Sequence, residues 1–345
     1  MKNTQESEFF ARQLALPKIG PESVAKLQSS TVAVVGTGGV GSAAAYYLST
    51  SMVGSIRLID QDIVETSNLA RLHGADFKDL YKPKAEVLAR TLSRTSLRCK
   101  AQPIVETLTN RNIDQLLINA DLIVDGLDNF RTRYIVNKYA SRTSTPYLFT
   151  SSVGEQAHLA LYNPPSTDCL QCTLPGVADR DEESCANLGV APTSTALTGA
   201  LAASATVRFL LGLPTRLTSS LLTIDLAGPD FLLTKRSKNV SCNVCGEHSD
   251  TMPDNDDFMS MLCGGNTVNV LPTEDVILDL QAYSLRIASG TLLALSDSVL
   301  IYREGGRKIS LFRDGRVMVN GVATQEQALT IALEARQKAF GNVTH

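Results

Sequence analysis

The run Thr31–Val35 (TVAVV) passes directly into Gly36-Thr37-Gly38-Gly39-Val40-Gly41, and no other junction restricts this chain's fold so strongly. The short β-branched run predicts a strand, and the small-residue stretch Val40–Ser49 predicts a closely packed helix. Ser55–Asp60 (SIRLID) then predicts a second strand that closes on an acid. Strand, G-x-G-x-x-G turn, helix and strand, in that order, predict an α/β fold with a Rossmann-like, doubly wound parallel sheet. Glycines let the backbone approach a phosphate, and the helix N-terminus supplies free N–H groups and a favourable dipole. Asp60 stands where an acidic side chain can bond ribose hydroxyls. A tight packing turn without ligand is the bland alternative, and the turn alone does not separate a dinucleotide from ATP.

The residues that follow separate them. Asp62, the run Ser67-Asn68-Leu69-Ala70-Arg71, and Lys82-Pro83-Lys84 come after Asp60. A dehydrogenase needs an apolar slot for nicotinamide, whereas a triphosphate needs cations around its phosphates and a carboxylate for magnesium. Arg71 and Lys84 meet the first need of a triphosphate. Asp128, just beyond the strand predicted at Asp121–Val124 in Asp125-Gly126-Leu127-Asp128-Asn129, meets the second. Each of these is, taken singly, an ordinary solvated surface residue; their joint order carries the reading.

These strings, from Phe10-Ala11-Arg12-Gln13 through GTGGVG, DQDIVETSNLAR, KPKAE and DGLDNFRTRY, resemble the MoeB/ThiF/HesA adenylyltransferases, relatives of the ubiquitin-activating enzymes, over about residues 8–248. The resemblance implies Mg-ATP-dependent adenylation of the C-terminal Gly-Gly carboxylate of a small ubiquitin-like sulfur-carrier protein. Such activation precedes sulfur transfer for thiamin, molybdopterin or tRNA thiolation, or protein conjugation. It further implies nucleotide contacts at Gly39, Asp60, the run Ser67–Arg71, Lys84, Asp128 and Asn129; with Gly36, Gly38, Gly41 and Asp62 from the turn and strand end, these make up the expected ATP site. Arg12 matches an arginine that relatives lend across a homodimer interface. Leu72 stands where the family commonly has glutamine and Thr37 where it often has alanine; the first loosens the match and the second reads as harmless.

Four of the seven cysteines form two C-x-x-C pairs, Cys169/Cys172 and Cys242/Cys245. One such pair could be a redox couple, but two suit a closed tetrahedral zinc site in a reducing, cytoplasmic setting. The resemblance carries the same arrangement. Cys185 is left over in Glu183-Ser184-Cys185-Ala186-Asn187. It reads either as a small buried apolar residue or, by the resemblance, as the thiol that takes a thioester or acyl-disulfide. Cys99 and Cys263 read as structural.

Further strands are predicted at Tyr147–Thr150, Leu159–Tyr162 and Pro214–Ile224, and helices at Pro83–Leu92 and Thr195–Leu211, with an irregular stretch over 163–192. The polar run His248–Asp257 predicts a linker (249–258) between an adenylyltransferase domain at 1–248 and a small α+β domain at 259–345. There, Thr267–Leu271 predicts a strand and Glu274–Ile287 a helix. Leu292–Arg303 and Lys308–Val319 predict hairpin strands, and Gln325–Ala339 a helix. Carrier docking, dimer support and plain stabilisation are all open roles for this domain. With 32 Lys+Arg against 35 Asp+Glu the chain lacks the basic footprint of a nucleic-acid binder. No apolar run reaches the ~18–20 residues of a membrane span, and the first residues do not read as a secretory signal. Two rival readings use the same features: a nicotinamide-dependent oxidoreductase on the glycine turn, and a zinc-bearing pseudoenzyme that only binds a carrier.

Overall fold

The computed structural model describes residues 2–177, 188–246, 259–261, 267–274, 276–287, 291–322 and 324–340. Along the first part of the chain run α1 (Lys2–Phe9), α2 (Ala11–Leu14), α3 (Pro21–Ser29), β1 (Thr31–Val35), α4 (Gly39–Ser49), β2 (Ser55–Ile59) and α5 (Thr66–Leu69). Then follow α6 (Lys84–Thr95), β3 (Lys100–Ile104), α7 (Ile113–Leu117), β4 (Leu122–Asp125), α8 (Phe130–Thr143), β5 (Tyr147–Val153) and β6 (Gln156–Tyr162). The part closes with α9 (Leu170–Thr173), α10 (Pro192–Leu210), β7 (Ser220–Asp225) and β8 (Asp230–Lys235).

These eight strands make one sheet in the order β3-β2-β1-β4-β5-β6-β7-β8. The first five run parallel and the last three continue antiparallel. Central strands such as β4 (LIVD) are buried on both faces, as near-continuous apolar runs require. Val32, Val34, Leu58 and Leu122 pack with α4, α6 and α10 on one side. Ala33, Val35, Ile59 and Ile123 pack with α7 and α8 on the other. Chain order reverses between β1 and β4, and a crevice at the carboxyl ends of such strands is where open α/β sheets bind ligands.

The second part comprises β9 (Met259–Met261), β10 (Thr267–Val270), α11 (Leu280–Ser284), β11 (Leu292–Leu295), β12 (Val299–Glu304), β13 (Arg307–Phe312), β14 (Val317–Asn320) and α12 (Gln325–Phe340). Its six strands form an antiparallel sheet in the order β11-β12-β13-β14-β10-β9. One face carries α11 and α12; the other packs Val299, Ile301, Phe312 and Met318 on Ile63 of the first part.

The α/β class and its small α+β companion agree with the sequence reading, but several boundaries do not. Glu274–Ile287 is helical only over Leu280–Ser284, because the Asp279 side chain accepts from Ala282 N and starts the helix there. Leu278 N instead bonds Arg313 O. Each predicted hairpin run holds two strands, broken by turns at 296–298 and 313–316. Strand β7 begins only at Ser220, since Thr215 caps a 3-10 turn at Arg216–Thr218. Helix α10 starts at Pro192, whose fixed φ suits a first turn. Strands β3 and β8 were not foreseen; both are edge strands, and β8 is exposed throughout. The predicted linker lies outside the described residues. Among the described residues no helix is long and apolar enough to cross a membrane.

Candidate nucleotide site

Gly36 leaves β1 with φ +85°, and a Cβ there would come within 2.6 Å of Gly126 O. The turns after β1 and β4 therefore interlock. Nothing lies within 4 Å of where a Gly38 Cβ would stand, so the backbone entering α4 has one open side. An open glycine backbone at a helix N-terminus suits a phosphate.

Asp60 is 8% exposed, and its bonds define the floor of the crevice. Its Oδ2 accepts from Thr37 N (2.6 Å) and Thr37 Oγ1 (2.9 Å), and its Oδ1 accepts from Asp62 N (2.7 Å). Burial pushes the Asp60 carboxyl above its ordinary value against the field of Lys84. Thr37 is thus more than a harmless replacement: its hydroxyl orients the acid that the sequence assigns to ribose.

Lys84 opens α6, where a cation opposes the helix dipole. It is held there by Asp62, whose Oδ2 accepts from Nζ at 2.9 Å and whose carbonyl accepts from Lys84 N at 2.9 Å. Burial alone would lower its pKa, but the fields of Asp62, Asp60 and Asp128 outweigh this and hold the ammonium charged. Asp62 Oδ1 is buried with no hydrogen-bond partner among the described residues. Helix α5 follows, started by a reciprocal pair of bonds between Glu65 and Asn68. Arg71 folds back so that Nη1 donates to Ser67 O at 2.7 Å.

On the β4 side Asp128 is exposed, and its Oδ1 accepts from Asn129 Nδ2 at 3.3 Å. Asn129 Oδ1 caps α8 through Thr132 N at 2.9 Å. Beneath them Asp125, fully buried, accepts from Tyr147 OH (2.6 Å), Arg133 Nε (3.2 Å) and Leu127 N (2.8 Å). Arg133 Nη2 also donates to Thr150 O at 2.9 Å. This buried network fixes the loop that presents Asp128, and the sequence reading missed it. Its signal was an acid at a strand end with an arginine one turn into the next helix.

The glycine turn, Asp60, Asp62, Lys84 and Asp128 therefore meet in one crevice, with Ser67 and Asn68 on the short helix α5 and Arg71 just past its end. Arg12 stands apart, exposed on α2 and without an ion pair among the described residues. Cys185 and Cys263 lie outside the described residues. Burial raises the Cys99 thiol to about 12, which suits its structural reading.

The four paired cysteines converge, with all sulfurs within 4.8 Å of one another. Cys169 and Cys172 are 4.0 Å apart, Cys169 and Cys242 3.8 Å, and Cys172 and Cys245 3.4 Å. Four sulfurs on tetrahedral zinc at ~2.3 Å would lie about 3.8 Å apart, so the donor set fits a structural zinc. An Arg236–Asp168 ion pair (2.8 Å), almost fully buried, anchors the knuckle beside Cys169.

Comparison with known proteins places these features in company. The model of the ThiF family matches residues 10–244. A sulfur carrier protein adenylyltransferase of Thermus thermophilus is 33% identical over 251 residues, covering 70% of this chain and 92% of that protein. The ThiS adenylyltransferase of Bacillus subtilis is 29% identical over 329 residues, covering 93% of this chain and 97% of that protein. Among solved structures, E. coli MccB with ATP superposes with a TM-score of 0.58 at 25% identity, covering 65% of this chain and 69% of that one.

Proposed function

That this chain belongs to the ThiF family is the premise from which we propose its reaction: ATP-dependent adenylation of a sulfur-carrier protein's C-terminal carboxylate, with release of pyrophosphate. The observation that carries the reading is Lys84, a part-buried ammonium held charged beside Asp62, Asp60 and Asp128 at the switch point of the sheet. Relatives named as adenylyltransferases of sulfur carriers, and an ATP complex of a structural neighbour, support it.

The attacking carboxylate is already ionised at neutral pH, so the protein needs no general base. Its work is placement and charge neutralisation as negative charge moves toward the leaving β-phosphate. We assign Asp60 to the ribose, the backbone of Gly38 and Gly39 to the phosphates, and Lys84 and Arg71 to the departing charge. Asp128 would hold Mg²⁺, which neutralises phosphate oxygens when bound. Arg12, exposed and without an ion pair among the described residues, would serve the crevice of a partner in a homodimer. The carrier is read as a ubiquitin-like protein ending in Gly-Gly. Cys169, Cys172, Cys242 and Cys245 would hold zinc, outside the chemistry, and cysteines used as metal ligands suit a reducing, cytoplasmic setting.

A nicotinamide enzyme is not favoured, because this crevice gathers charge where that ring needs an apolar slot. A pseudoenzyme would not need Lys84 held as a cation. Incubation with a Gly-Gly-terminated carrier, ATP, magnesium and labelled pyrophosphate tests the reading. Label should enter ATP only when the carrier is present, and no exchange with any such carrier would sink it.

A further inference from the structure

The loop beyond Asp60 faces two ways. Gln61, Ile63 and Glu65 meet the C-terminal sheet. Asn269 Nδ2 donates to Gln61 Oε1 at 3.2 Å, Ile63 packs among Val299, Phe312 and Met318, and Lys308 pairs with Glu65. The alternate residues Asp60 and Asp62 bond Thr37 and Lys84 instead.

At this seam, on the turn between β13 and β14, lies Arg316. It is fully buried, its guanidinium 3.5 Å from the centroid of the Phe312 ring. Its Nε is 3.9 Å from Asp314 Oδ2, too far for a hydrogen bond, and none of its three nitrogens has an acceptor among the described residues. Burial pulls its pKa down, while the fields of Asp314, Asp62, Asp60 and Glu106 oppose that. Asp62 has the complementary deficit, since its buried Oδ1 has no donor among the described residues.

In the free protein Lys84 neutralises Asp62. On the nucleotide reading above, on which this inference rests, Lys84 turns to the phosphates of ATP. Asp62, part-exposed at its side chain but with its Oδ1 buried, would then be left without its cation, an unfavourable state. We propose that Arg316 is a positioning residue that takes over Asp62 when a triphosphate draws Lys84 away. The C-terminal domain thereby supplies a counter-charge on which triphosphate binding depends. Arg316 acts through Asp62 and need not touch the nucleotide.

Isothermal titration of ATP and of AMP, each with magnesium, into the wild-type protein, Arg316→Met and Arg316→Lys tests this. AMP offers ribose and one phosphate but not the β- and γ-phosphates. Arg316→Met should weaken ATP binding by about tenfold or more while AMP binding stays within about twofold, and Arg316→Lys should recover most of the loss. Equal losses for both nucleotides, or none, overturn the proposal. A second readout needs no variant that must fold. In ¹⁵N NMR of the intact protein, the Arg316 Nε–H signal should shift downfield and exchange more slowly with a non-hydrolysable ATP analogue, but not with AMP. An unmoved signal overturns the proposal. If the wild-type protein binds neither nucleotide, the reading of the crevice itself fails and takes this inference with it.

Discussion

Lys84 occupies a position that helix chemistry alone disfavours, a cation in the first turn of α6, and it is kept there by Asp62. A side chain that breaks a local rule at a ligand crevice marks a functional constraint. Replacing Lys84 by Met should lower carrier-dependent pyrophosphate exchange by about 10²–10³, by analogy with loss of one charge-stabilising donor, while thermal unfolding shows an intact fold. Asp125 is a different kind of residue. Its carboxylate has no route to substrate, but it is the counter-charge of Arg133, which is itself buried. Asp125→Asn leaves that guanidinium short of a partner and should destabilise the protein by about 3–5 kcal/mol, measured by urea unfolding. The two substitutions thus separate a chemical role from a supporting one.

At the scale of elements, the turn before α6 is held by Asp79, which accepts from Arg90 at 2.6 Å and Lys82 at 3.1 Å. Burial would raise its pKa, but the bonds from Arg90 and Lys82 prevail and hold it below 3.8. A folded value below the unfolded one means that the carboxylate stabilises the protein above pH 3.8, and that this is lost as the pH falls through the folded value. The stability difference between wild type and Asp79→Asn should therefore be constant from neutral pH down to the carboxylate range and vanish at stronger acidity. The cysteine knuckles tie α9 to the chain after β8. Released metal, assayed with a chromogenic chelator, should amount to one zinc per chain, and Cys245→Ser should abolish it and lower the melting temperature. How far such elements could be read in advance depended on their surroundings. The strand TVAVV, the glycine turn and the C-x-x-C spacing were legible because backbone sterics or a metal dictates the residue types. Strand β3 (KAQPI) was not, since an edge strand with Pro103 and Lys100 has neither alternation nor an apolar run. Nor was the Asp125–Arg133 pair, whose meaning depends on β4 and α8 being neighbours in space.

In the whole molecule, the C-terminal sheet is apolar on both faces, and only one face is covered by its own helices. The other is closed by Ile63, Tyr81 and Val105, so the two parts share a core at the loop that bears Asp62 and Glu65. That continuity was hidden in a sequence whose linker and extension read as an appendage. It gives the extension a reason to influence nucleotide binding, although no catalytic group need reside in it. The chemistry itself is tested most directly by intact-mass spectrometry of a Gly-Gly carrier incubated with the enzyme, ATP and magnesium, with pyrophosphate measured in the same sample. The carrier should gain one AMP, and one pyrophosphate should appear for each adduct, neither being formed by Lys84→Met above background. An unmodified carrier with ADP and phosphate as the only products would contradict attack at the α-phosphate.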